Sequence, residues 1–166
     1  MVLYTRMSKI ILFAIVLQLI ALNSVQTTVV NSCNKNLLLP NTTISINSLV
    51  CSETPCTCIP GCPFKLHLEF DSPRYLEHFK PDIIATYAGI KLDYPLGQDD
   101  GCDGLLNTQC PIVENEPIKY EVTMNVLSFF PEVTVSLNFT LQDLDADEPV
   151  VCILFDINVK KMNCPA

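Results

Sequence analysis

Residues 133–141, VTVSLNFTL, alternate without a break: Val133, Val135, Leu137, Phe139 and Leu141 on one side, Thr134, Ser136, Asn138 and Thr140 on the other. A period of two is the repeat of a half-buried β-strand, whose successive side chains leave opposite faces of the pleat. Residues 64–70, FKLHLEF, repeat the pattern, with Phe64, Leu66, Leu68 and Phe70 apart from Lys65, His67 and Glu69. Tyr120, Val122, Met124 and Val126 alternate next, as do Val151, Ile153, Phe155, Ile157 and Val159. Further strands are expected at 44–49 and, more continuously apolar, at 83–92.

Turn chemistry separates these runs: Pro60-Gly61, Ser72-Pro73, GQDDG from Gly97, NEP from Asn115, Pro131, and DADEP from Asp145. Six or seven short strands at such spacing, with no amphipathic helical segment between them, predict an all-β domain: an immunoglobulin-like sandwich of two antiparallel sheets. No internal repeat, low-complexity tract or second domain interrupts it.

At the N-terminus, Arg6 and Lys9 precede the uncharged run IILFAIVLQLIAL and the small polar pair Asn23-Ser24. That is the layout of a secretory signal peptide over 1–24, leaving a single domain over 25–166. The apolar run falls short of the roughly twenty residues a membrane span needs. Export favours disulfides as the use of the nine cysteines. Four of them fall in CSETPCTCIPGC, but not at the paired spacing of structural zinc sites. The sequons NTT at Asn41 and NFT at Asn138 suit the same route and are candidate glycosylation sites.

Ten Lys and Arg, two of them in the leader, stand against eighteen Asp and Glu, so the mature net charge is −10. Such a surface repels phosphate and excludes nucleic acid as a partner. Catalytic chemistry finds no footing either. Two histidines lie apart, no GxSxG is present, and the acidic loop around Asp99 and Asp103 has Cys110 where a calcium loop carries its bidentate Glu. No enzyme activity, cofactor or metal is expected.

An early Cys33, the CSETPC stretch, DGCDGLLNTQCPI with Tyr120 nine residues beyond Pro111, and FFPEVTVSLNFTLQDLDADEPVVC together resemble the ML lipid-recognition family. That family comprises secreted lipid carriers that include the Niemann-Pick type C sterol carrier and mite group-two allergens. The resemblance runs from Cys33 to Val159. It implies disulfides Cys33–Cys152, Cys51–Cys56 and Cys102–Cys110, and an apolar cavity between the sheets for a sterol or fatty-acyl lipid. Tyr94, Val126 and Phe130 match the positions at the cavity mouth, and the stapled loop 102–110 is expected to border it. Deeper walls are expected from Phe64, Leu66, Leu68, Tyr120, Val122, Met124, Val135, Leu137 and Phe155. A monomeric lipid carrier follows, handing its cargo to a membrane lipid-transfer partner or receptor, outside the cell or in the lysosomal lumen.

Cys58, Cys62 and Cys164 stand outside that pattern. Cys58 and Cys62 flank a plausible three-residue hairpin turn, where facing residues come within the roughly 4.4–6.8 Å of Cα separation a disulfide needs. Pairing them leaves Cys164 over; pairing Cys62 with Cys164 leaves Cys58 over, and the first arrangement is preferred. The rival to the carrier as a whole is a solidly packed sandwich binding another protein through its loops. The lack of any Trp weighs against a true immunoglobulin domain. N-terminal sequencing of the exported protein should start within a few residues of Val25; an intact Met1 would contradict the leader.

Overall fold

The computed structural model describes residues 27–164, so the leader expected at 1–24 lies outside the described residues. Ten strands follow in chain order: β1 (Asn31–Ser32), β2 (Asn41–Ile46), β3 (Leu49–Cys51), β4 (Cys56–Cys58), β5 (Pro63–Asp71), β6 (Phe79–Tyr87), β7 (Ile90–Asp93), β8 (Pro117–Asn125), β9 (Thr134–Asp143) and β10 (Glu148–Val159). One sheet runs β1-β10-β9-β6-β7, with β4 also on β10; the other runs β3-β2-β5-β8. The two-sheet all-β architecture is the one the alternation predicts.

Strand number exceeds the expected six or seven because two apolar runs fold back on themselves and because the short strands β1 and β4 add to the first sheet. Residues 44–49 break at Asn47 and Ser48, with φ of 46° and 71°, and 83–92 breaks at Ala88 and Gly89, with φ of 49° and 81°. Two successive positive φ values are what a tight hairpin with the right twist demands, and neither site carries the Asn-Gly or Asp-Gly that announces one. One pairing is also parallel: Ile157, Asn158 and Val159 of β10 lie beside Cys56, Thr57 and Cys58 of β4.

Every alternating run puts its apolar side inward. Phe64, Leu66 and Leu68 have no exposure, and Phe139, Ile153 and Val151 are equally sealed. The sheets meet where the Phe64 ring lies 6.3 Å from that of Phe155, the planes 8° apart. At the turn between β9 and β10, Asp143 is a buried carboxylate. It accepts from the amides of Asp145 (3.0 Å) and Ala146 (3.2 Å) and from Arg74 Nε (2.8 Å), whose other nitrogens reach Glu148. Burial works to raise the Asp143 pKa, but the Ala146 amide, the Arg74 guanidinium and the Asp145 amide outweigh it and hold the group below its ordinary 3.8.

Four disulfides close the framework: Cys33–Cys152, Cys51–Cys56, Cys102–Cys110 and Cys62–Cys164. The expected Cys58–Cys62 bridge is corrected, since Cys58 is a free buried thiol. The hairpin premise fails because β4 and β5 belong to different sheets, so the chain crosses the sandwich between Cys58 and Cys62 instead of turning back on itself. Parallel pairing of β4 with β10 then carries the chain end alongside 59–62, where Cys164 meets Cys62.

Two stability predictions follow from these contacts. The Cys33–Cys152 bridge spans 119 residues and Cys102–Cys110 only 8; loop-closure entropy assigns them roughly 5 and 2.5 kcal/mol. Serine pairs replacing the first bridge should therefore lower the denaturant midpoint more than those replacing the second, and equal losses would mean that packing of the short loop sets its cost. Asp143→Asn should cost about 1–3 kcal/mol at pH 7 by taking the charged acceptor from Arg74 Nε and leaving the guanidinium only the exposed Glu148. Because the folded pKa is depressed, the wild-type advantage should stay level down to about pH 4 and shrink only below it; denaturation at pH 7, 5 and 3 measures this.

Candidate functional site

β7 is the edge strand of the first sheet and β8 the edge strand of the second, and the residues matched to the cavity mouth gather where these two edges end. Tyr94 extends the β6–β7 ladder by one rung, its amide donating to Ile83 O at 2.8 Å. Its hydroxyl donates to Asn125 O at 2.6 Å, which ties one edge to the other. Burial pushes the Tyr94 phenol pKa up, with the Cys58 thiol adding to it, so the group remains a neutral donor at physiological pH.

Beyond β8 the chain turns, Phe130 N–H donating to Leu127 O at 3.1 Å, and brings Phe130 to 6.4 Å from the Tyr94 ring. Phe129 stacks on Phe130 at 5.3 Å and is 74% exposed, so three rings step from solvent into the fold. Val126, next to the Asn125 carbonyl that Tyr94 bonds, is buried, and its own carbonyl accepts from Gly61 N–H at 3.0 Å. Tyr94, Val126 and Phe130 are thus brought together.

The nine deeper residues face inward, with Phe64, Leu66, Leu68, Tyr120, Val122, Met124, Leu137 and Phe155 buried and Val135 half-buried against them. They do not form one neighbourhood. Tyr120 lies at the other end of β8, its ring tilted against Phe79 at 6.3 Å and its hydroxyl accepting from Gln98 Nε2 at 3.0 Å. Gly101 and Gly104 of the stapled loop press so closely on Phe79 and Tyr120 that a Cβ at either would collide with a ring. Six residues of strand, about 20 Å, separate Tyr120 from Val126. The stapled loop therefore caps that end of the sandwich over Tyr120, and the expectation that it borders the Tyr94–Phe130 mouth is corrected.

Sequence reasoning missed Ile90 and Leu92. Leu92 pairs with Ala85 and Ile90 with Tyr87, on the same face as the buried Ile83, so both point inward. Yet each is 62% exposed, because β7 runs out past the cover of the second sheet. The signal was the alternation Ile90, Leu92, Tyr94 in IKLDY, hidden inside an apolar run read as one strand.

Other exposed apolar side chains, among them Val29, Leu49, Leu106, Val113 and Met162, are spread over the rest of the surface. His67 pairs with Glu69 at 3.4 Å and His78 with Asp145 at 3.2 Å. Among the described residues, no three His, Cys, Asp or Glu side chains are grouped to hold a metal ion. Asn41 is exposed at the start of β2. Asn138 is half-buried in the middle of β9, its Oδ1 3.1 Å from Cys152 Sγ and accepting from the Thr140 hydroxyl at 3.2 Å.

Comparison with known proteins adds the following. A family model described as the ML domain matches residues 27–159. The NPC intracellular cholesterol transporter 2 of Danio rerio is 27% identical over 116 residues, covering 70% of this chain and 76% of that protein. A Drosophila melanogaster homolog a of that transporter is 27% identical over 107 residues, covering 62% and 70%. Among solved structures, a Niemann-Pick type C2 protein from Japanese carpenter ant superposes with a TM-score of 0.66 at 20% identity, over 80% of this chain and 99% of that one. Chicken MD-1, solved with lipid IVa, superposes with a TM-score of 0.51 at 16% identity, over 76% and 85%. At these identities the structural matches speak for the fold alone.

Proposed function

Because the chain belongs to the ML-domain family, we propose that it is a non-catalytic lipid carrier, taking a sterol or fatty-acyl compound between its two sheets through the gap between β7 and β8. The observation that carries this reading is the strip of apolar surface at that gap. Ile90 and Leu92 present inward-facing side chains to solvent, and the Tyr94, Phe130 and Phe129 rings continue the strip across to the end of β8. Apolar walls with a few polar groups at one end are the usual form of a small-molecule site. Here the Tyr94 hydroxyl is the polar group, and the faces behind it are aliphatic and aromatic.

Relatives support the cargo class: two are named as cholesterol transporters. Loading asks the sheets to separate around the Phe64–Phe155 contact, since rings 6.3 Å apart leave no room for a sterol between them. That contact involves dispersion and apolar area, which a lipid replaces in kind. Export from the cell agrees with four disulfides and with the leader expected at 1–24.

Organic extraction of the purified protein followed by mass spectrometry should recover a stoichiometric lipid. Recovery of none from several expression hosts, with no uptake of a fluorescent sterol or fatty acid, would favour a sandwich that binds protein through its loops. If Val126 borders space that a lipid fills, Val126→Phe should abolish uptake and leave the melting midpoint nearly unchanged. In a solidly packed core the same overpacking costs roughly 1–3 kcal/mol, so a variant that melts early and still binds lipid would refute the assignment.

A further inference from the structure

Cys62 and Cys164 are additions to the cysteine pattern of the family resemblance, and the bridge between them fixes the piece of chain that follows β10. After Val159 the backbone leaves β10 and runs as a strap through 160–164. On one flank, Lys160 N–H donates to Cys58 O at 2.9 Å, and Cys164 is bonded to Cys62 with the Cα atoms 5.7 Å apart. On the other, Val159 N–H donates to Val133 O at 2.8 Å and Lys161 N–H to Glu132 Oε1 at 2.8 Å. Surface clefts lie on both sides of the strap, one bounded by Pro60 and Ser128, the other by Glu132 and Thr134.

The flank ending at Glu132 and Val133 is the far end of the segment that joins β8 to β9 and presents Phe129 and Phe130 to Tyr94. Its near end is held by Gly61 N–H on Val126 O, and Gly61 adjoins Cys62. Both ends of the mouth loop are thus moored to the 58–62 turn, one directly and one through the strap. We propose that the strap closed by Cys62–Cys164 is a clamp that positions this loop and thereby sets how fast lipid enters and leaves. This rests on the carrier reading above. The physical reason is entropy. A five-residue chain end without its bridge frays as termini do, and Glu132 then loses its Lys161 partner, leaving Val159 N–H on Val133 O to hold that end of the loop alone. Local opening of the ring stack becomes less costly, while the walls that touch bound lipid stay as they were. Cys62, Cys164 and Glu132 are positioning residues, acting on cargo only through Phe129 and Phe130.

The test uses the full secreted chain carrying Cys62→Ser with Cys164→Ser, both changed so that neither thiol is left to pair with Cys58. Glu132→Ala, which keeps the bridge, is the milder second variant. Hydrogen exchange followed on peptides covering 126–134 should quicken about tenfold. Stopped-flow uptake and release of dehydroergosterol should both accelerate at least about threefold, with Kd moving less than about twofold, because a gate changes rates in both directions together. Glu132→Ala should shift all these in the same direction by less. A lower melting midpoint with unchanged loop exchange, or quickened exchange with unchanged sterol rates, overturns the proposal. A wild-type chain that takes up neither sterol nor a fluorescent fatty acid sinks the carrier reading and the rate claim with it; exchange in 126–134 then judges the clamp by itself.

Discussion

Hydrogen bonding along both edges of β10 is the constraint on which the rest of the sandwich depends. On one edge β9 runs antiparallel to it from Glu148 to Asn158, and on the other β1 and then β4 lie end to end. With its backbone groups so engaged, the strand can bury Val151, Ile153, Phe155, Ile157 and Val159 without leaving polar atoms unpaired. The Cys33–Cys152 bridge then joins it to the start of the domain. Through Phe155 it meets the second sheet at Phe64, so one strand sets the order of the first sheet and the spacing to the other.

Much of this was legible in the amino-acid order because a pleat leaves so little freedom. Alternation in 64–70, 120–126 and 133–141 assigned inward and outward faces with no knowledge of partners, and burial follows it residue by residue. What escaped depends on tertiary placement. Asn47-Ser48 and Ala88-Gly89 turn the chain with positive φ values that Asn47 and Gly89 take up readily but Ser48 and Ala88 adopt only under tertiary constraint. β4 is three residues long and has no period to read. The partner of Cys62 was set by which sheet each neighbouring strand joins, and local spacing says nothing about that.

The candidate site was legible unevenly for the same reason. Tyr94, Val126 and Phe130 came from the family resemblance, and nothing in their local pattern distinguishes them from ordinary core. Ile90 and Leu92 were plainly apolar, but their exposure arises from the extent of the opposite sheet, a property of two strands distant in sequence. Tyr120 shows the converse. It alternates like a wall residue, yet Gln98, Phe79 and Gly104 surround it so closely that it serves as a plug at the capped end.

β7 carries a further consequence. As the last strand of its sheet among the described residues, it leaves one row of backbone donors and acceptors without a neighbouring strand, with Ile90 and Leu92 on one face. That combination is a template for a second chain to add itself edge to edge. Lys91 and Asp93 fall on the opposite face of the same short strand and are exposed. Charges at such an edge must be desolvated before another strand can dock, and four residues give little length over which to recover that cost. Solvent-facing apolar side chains and charges that oppose edge-to-edge addition thus alternate along one strand.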